Sequence, residues 1–267
     1  MNNTFNINRF GLLLRRQWLD FGKVYLGTLV ILIGVLVVAY WMLMPDIKNI
    51  SLNIWKSPNL GFRYLLFIFF GFFFTSIIAS SYFNNLGKKA DTIIELMIPA
   101  STFEKFVTGV FYASIVSACS FLLIFYLVDA AFVAYFNGQI NHMITLNAEL
   151  KPAQTMVEEV FQDPKTLNYF KYNMVSPFTV TGIFLLGSIY FKRHNYIKTA
   201  TTLILFLVLW VTSTIYTMKL VTDGTVWVGN SYWQNERNIM QIFGIASLLI
   251  TIAFYITVYI RLKEKEV

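Results

Sequence analysis

Six apolar runs dominate this chain, at 24–44, 64–82, 106–136, 178–191, 199–218 and 242–260. A helix needs roughly 20 apolar residues to cross a hydrocarbon core. The third run is longer than one crossing requires, and the fourth is short unless it begins before Phe178. Inside lipid the backbone must satisfy its own hydrogen bonds, which at these lengths only helices do. The pattern predicts an all-α integral membrane protein with six transmembrane helices, forming a single transmembrane domain over residues 1–267. Composition agrees: 57% of residues are hydrophobic and 13% charged, against about 25% charged in soluble domains.

The distribution of Lys and Arg sets an expected orientation. With the N-terminus inside, one face holds Arg9, Arg15, Arg16, Lys23, Lys88, Lys89, Lys105, Lys192, Arg193, Lys198, Arg261, Lys263 and Lys265. The other holds Lys48, Lys56, Arg63, Lys151, Lys165, Lys171, Lys219 and Arg237, spread over longer loops. Both termini are therefore expected in the cytoplasm. This bias accounts for most of the net charge of +7, and no nucleic-acid partner is needed to explain it. The N-terminus lacks the small-residue cleavage site of a signal peptide. The lone Cys119, within the third run, is expected to pack as a small hydrophobe.

Ahead of the first span, Ile7, Phe10, Leu14, Trp18 and Phe21 recur at three- and four-residue steps and share one helical stripe. Arg9, Arg16, Asp20 and Lys23 lie opposite, and Arg15 adds to the basic character. The reading is an amphipathic helix lying in the membrane interface, with Phe10 and Trp18 at the acyl boundary and Arg15 and Arg16 at lipid headgroups. The alternative is a plain extension of the first span.

The segment between the second and third spans carries the most information. Leu86, Ala90, Ile93 and Met97 share one helical face, and Lys88, Asp91 and Glu95 another. Pro99 stops this helix and biases Ile98 away from helical geometry. Ser101-Thr102-Phe103-Glu104 then restarts one as a capping box. The expected product is a short surface helix hinged to the third span, able to pass a push from one to the other.

Lys88, Lys89, Glu95, Leu96, Met97, Pro99 and Ser101, followed by Glu104 and Lys105, resemble the connector of the permease subunits of ABC type-2 exporters. The order of an interfacial N-terminal helix, two spans, this connector and four more spans is similar over nearly the whole chain. The resemblance implies that the connector, Lys88 to Glu104 with Asp91 on its polar face, is a cytoplasmic coupling helix seated in a separate ABC ATPase. It also implies a homodimer or heterodimer of permease subunits around the pathway, in a bacterial-type inner membrane. The 137–177 segment departs from the family's commonest layout, where the largest outer element follows the fifth span.

That outer segment, about 40 residues long, is too short for a core of its own and reads as a cap over the bundle. Pro152 is expected in the first turn of a short helix running to Phe161, ended by Pro164. The 219–238 loop carries an Asp223-Gly224 turn signal and then Trp227, Tyr232 and Trp233, suited either to the outer interface or to a re-entrant piece packed between helices.

Sites of bond chemistry are not evident. The chain has no G-x-x-x-x-G-K-[ST] motif, so an ATP site would reside on another chain, and no cofactor is implied. His142 and His194, with no cysteine beside them, make a poor metal site. Gly187-Ser188 lacks the frame of a serine hydrolase. At about 1.5 Å per residue, Asp129 falls roughly 35 Å along the third helix, at the outer interface, where solvation is the expected state and a role in a gate or outer vestibule the alternative. With no acid or base in the middle of a span, a proton-coupled carrier has little to work with. The leading expectation is the membrane subunit of an ATP-driven exporter and not an enzyme. The alternatives are a non-transporting anchor, sensor or assembly subunit, and a stand-alone channel or carrier.

Overall fold

The computed structural model describes residues 5–45, 60–84, 97–146, 152–222 and 235–266. The described residues are helical, joined by turns and short coil. In chain order these are α1 (Ile7–Leu43), α2 (Phe62–Tyr82), α3 (Thr102–Val110), a π-helical turn (Phe111–Val116), α4 (Ser117–Leu146), α5 (Met156–Gln162), α6 (Pro164–Asn173), α7 (Ser176–Tyr190), α8 (Asn195–Thr222) and α9 (Glu236–Glu266). Six stretches are long and apolar enough to cross a membrane: Ile7–Leu43, Phe62–Tyr82, Thr102–Asn141, Pro164–Tyr190, Asn195–Leu220 and Glu236–Lys265. They coincide with the six apolar runs, so the chain has the architecture of a multi-pass helical membrane protein.

The N-terminal stripe is not a separate helix. Ile7 to Leu43 form one uninterrupted helix of 37 residues, about 55 Å at 1.5 Å per residue. It corresponds to the extension of the first span, and the reason is local. The segment contains no proline, and its glycines cost only about 1 kcal/mol each in a helix. The fourth crossing also differs from expectation. Helix α7 begins at Ser176, and α6 precedes it after a two-residue turn, which lengthens the apolar stretch.

Helix α7 is central. It packs on α2, α8 and α9, and Phe184, Leu185 and Ile189 are buried there. Close approach depends on glycine, as is common between membrane helices. A Cβ at Gly187 would lie 2.7 Å from Cγ2 and 2.8 Å from Cβ of Thr199 on α8. On the other side of the molecule, α1 packs against α2, α3 and α4. Tyr25, Leu36 and Tyr40 of α1 bury against Phe74 of α2 and Phe121 and Phe125 of α4.

The outward faces are apolar. None of the crossing window of α8 is buried, and Phe206, Leu209 and Trp210 are exposed along it. Lipid tails solvate such surface without cost. Cys119 also lies on an exposed face and is not packed inside.

Proline chemistry places the short helices differently from expectation. Helix α5 begins at Met156, capped by Thr155 and Glu158, so Pro152 lies upstream of it. Pro164 both follows the end of α5 and opens α6, because the missing N–H of proline is tolerated in a first helical turn. Asp163 caps α6. Its carboxylate accepts from the Thr166 hydroxyl and the N–H groups of Lys165 and Thr166, which hold it below the usual carboxylate range.

Candidate functional site: the connector end and the opposite polar cluster

The two ends of the bundle differ in chemistry. At the end where α1 begins and α9 finishes, the connector enters the third crossing at Ser101. Ser101 has extended geometry, and its hydroxyl accepts from Glu104 N–H at 3.2 Å. Glu104 Oε2 accepts in return from Ser101 N–H at 2.8 Å. This is the capping box the sequence predicts, placed just after Pro99.

Glu104 does more than cap. Its other oxygen accepts from Asn6 N–H at 2.8 Å and from Arg9 Nη2 at 3.0 Å. The carboxylate is completely buried, while Arg9 is one-third exposed. A carboxylate in the first turn also sits favourably on the helix dipole. One side chain therefore joins the end of the connector, the start of the third crossing and the start of α1.

Aromatic packing extends this junction. Phe103 meets Phe5 and Tyr259, and Phe106 meets Tyr259 at 5.5 Å between ring centroids. The Tyr112 hydroxyl donates to Leu14 O at 2.9 Å, and Trp18 stacks on the Tyr112 ring. Lys265 of α9 donates to Ile189 O at the C-terminal end of α7.

Of the connector residues singled out in the sequence, Lys88, Lys89, Asp91, Glu95 and Leu96 lie outside the described residues. Met97 is exposed and Pro99 precedes the cap. Phe10 is half-buried against Phe5, Arg15 is exposed, and Arg16 pairs with Asp20 at 3.6 Å. Sequence reasoning missed Asn6 and Arg9 as partners of Glu104. No local pattern signals them, because the partners lie 98 and 95 positions away in the chain.

Just past the junction, the π turn meets α7 and α9. The hydroxyls of Ser114, Thr181 and Tyr255 form a closed triangle with edges of 3.0, 2.7 and 2.9 Å. Another hydroxyl pair, Thr179 with Thr251, joins α7 to α9 at 2.6 Å. Such contacts hold membrane helices together at modest strength. π turns within α-helices recur at functional positions.

The opposite end holds a buried charge cluster, where the sequence predicted a solvated aspartate. Asp129 is 1% exposed. It accepts from the Tyr40 hydroxyl at 2.9 Å, from Met156 N–H at 2.6 Å and from Arg63 Nη1 at 3.3 Å. Arg63, on the first turn of α2, also donates to Leu60 O, to Gln154 O at 2.8 Å and to Glu159 Oε2 at 2.6 Å. Counting residues along the helix could not reveal a partner 66 positions away. The signal was faint: one Arg opening an apolar run, and one Asp near the end of another.

Among the described residues no group of three or more His, Cys, Asp or Glu is placed to hold a metal ion. No family model, curated protein or solved structure matches the chain.

Proposed function

We propose that this chain is the membrane-spanning subunit of an ATP-driven exporter of the ABC type-2 kind. It forms the path for a hydrophobic or amphipathic substrate and couples to a separate cytoplasmic ATPase. The observation that carries the reading is the Glu104 junction. A push on the connector reaches Ser101 two residues after Pro99, and Glu104 passes it both to the third crossing and to α1. In this reading both termini and the connector face the cytoplasm of a bacterial-type cell, and two permease copies enclose the pathway. Lys88, Lys89, Asp91, Glu95, Leu96 and Met97 form the surface that meets the ATPase.

Copurification tests the reading. The isolated chain should not hydrolyse ATP, and an ATPase encoded beside it should be recovered with it. Glu95→Lys reverses a charge at the proposed contact, and a mismatch there costs a few kcal/mol when desolvated. ATPase recovery should fall about 10-fold or more, at equal permease loading. Recovery of no ATPase by the wild-type chain would favour an anchor or a stand-alone channel.

A further inference from the structure

The polar cluster opposite the connector end has an unequal division of charge. The crossing helices contribute Arg63 and Asp129, one positive and one negative, with side chains 3% and 1% exposed. The short segment ahead of α6 contributes only Glu159, whose side chain is 46% exposed. Its remaining polar contacts to the crossing helices are backbone groups. Gln154 O accepts from Arg63, Met156 N–H donates to Asp129, and Ala153 exchanges two bonds of 2.9 Å with the Asn137 side chain.

This partition decides what separation would cost. Breaking a buried ion pair by removing one partner leaves an uncompensated charge and is strongly destabilising. Here, lifting the segment away leaves Arg63 and Asp129 together, with Tyr40 still donating to Asp129. Glu159 moves from half-exposed to fully hydrated. No buried charge is left alone.

The segment is also built to move as a unit. Helix α5 carries its own capping box between Thr155 and Glu158, which does not involve the crossing helices. Helix α6 begins with a cap at Asp163, whose backbone N–H also ends α5 by donating to Glu159 O at 3.1 Å, so the joint between the two helices is this one residue. Helix α6 keeps its own attachments to α9, with Tyr172 accepting from Gln241 at 3.0 Å and Tyr169 donating to Glu236 at 3.3 Å. Only Met156 and Val160 of α5 are buried apolar side chains.

From this we infer that residues 153–162 form a two-position strap. Docked, it ties the ends of α1, α2 and α4 together through Arg63 and Asp129. Released, it pivots at Asp163 and leaves a neutral Arg63–Asp129 pair behind. Glu159 is the contact that sets the balance. The inference stands on this geometry alone and does not require the exporter reading.

The test follows the strap by thiol labelling of the full-length chain in lipid nanodiscs. In a Cys119→Ala background, Val160→Cys places a thiol at a position 7% exposed when docked. Its labelling rate by a soluble maleimide then reports the released population. Glu159→Gln should raise that rate about 5-fold, equivalent to ~1 kcal/mol at 1.4 kcal/mol per decade. Glu236→Gln, which touches only the α6–α9 contact, should leave it unchanged. A second chain carrying Asn137→Cys and Ala153→Cys should form a disulfide on mild oxidation. That cross-link, followed by Val160→Cys labelling after protection, should slow modification at least 5-fold. Equal rates with and without Glu159→Gln would overturn the strap. So would labelling that the cross-link does not slow.

Discussion

The carboxylate of Glu104 accepts from the backbone N–H of Asn6 at 2.8 Å, across 98 positions of sequence. The same side chain caps its own helix through Ser101. A local capping motif is thus reused as a tertiary tie, and the start of α1 cannot move independently of the connector's end.

Removing that charge should loosen the junction. Glu104→Gln leaves donors at Ser101, Asn6 and Arg9 competing for one amide oxygen, and a lost buried partner costs about 1–3 kcal/mol. Arg9→Ala removes a one-third-exposed donor from a buried carboxylate that keeps the N–H groups of Asn6 and Ser101, and should cost less than Glu104→Gln. Thermal unfolding in detergent separates the two. Equal stability of these variants would mean that Glu104 is not the centre of the tie.

The Arg63–Asp129 pair should behave as a coupled unit. Arg63→Met alone strands the buried Asp129 carboxylate, at about 3–5 kcal/mol, whereas Asp129→Leu leaves Arg63 paired with Glu159 at 2.6 Å and should cost less. The double variant removes both charges and should recover at least half of the summed loss. Chemical denaturation of all three provides the double-mutant cycle. Strictly additive losses would argue that the two side chains do not depend on each other.

Helix packing around Gly187 gives a steric prediction. Gly187→Ala drives a methyl into Thr199 and should cost about 1–3 kcal/mol. At Gly182 the nearest atom to an added Cβ is Phe254 Cβ at 3.2 Å, so Gly182→Ala should be milder. Thr199→Gly should restore part of the stability lost in Gly187→Ala. Detergent melting temperatures that rank the glycine variants in the opposite order would contradict the α7–α8 contact.

Orientation is open to direct measurement. In a Cys119→Ala background, Glu158→Cys should react with an impermeant thiol reagent in intact cells, and Lys192→Cys only after permeabilisation. Reaction at 192 in intact cells would place the connector on the wrong side for an ATPase.

The crossing helices were legible because apolar runs near 20 residues have few alternatives in lipid. The cap at Ser101 and Glu104 was legible because its two partners are three residues apart. Other features depend on partners far away in sequence. Asp129 looked solvated until Arg63 and Met156 N–H were brought to it. Pro164 looked like a stop, yet with Asp163 before it the same ring serves as a start. The stripe of Phe10 and Trp18 fitted a lipid interface equally well as a face against the third crossing, and the structure stacks Trp18 on Tyr112.

The π turn at Phe111–Val116 sets an angular phase. Each residue of an α-helix advances the face by about 100°, and a π turn accommodates one residue more than an α turn would. Deleting a single residue there would return the helix to α geometry with little change of phase beyond it, whereas the same deletion between Ser117 and Asp129 would rotate everything beyond it by about that angle. In that second case Glu104 would still face Asn6, but Asp129 would swing away from Arg63. The π turn thus takes up a surplus residue that would otherwise put the bundle's two polar ends out of register, and a length change that is silent in hydropathy is tolerated at that one turn and not beside it.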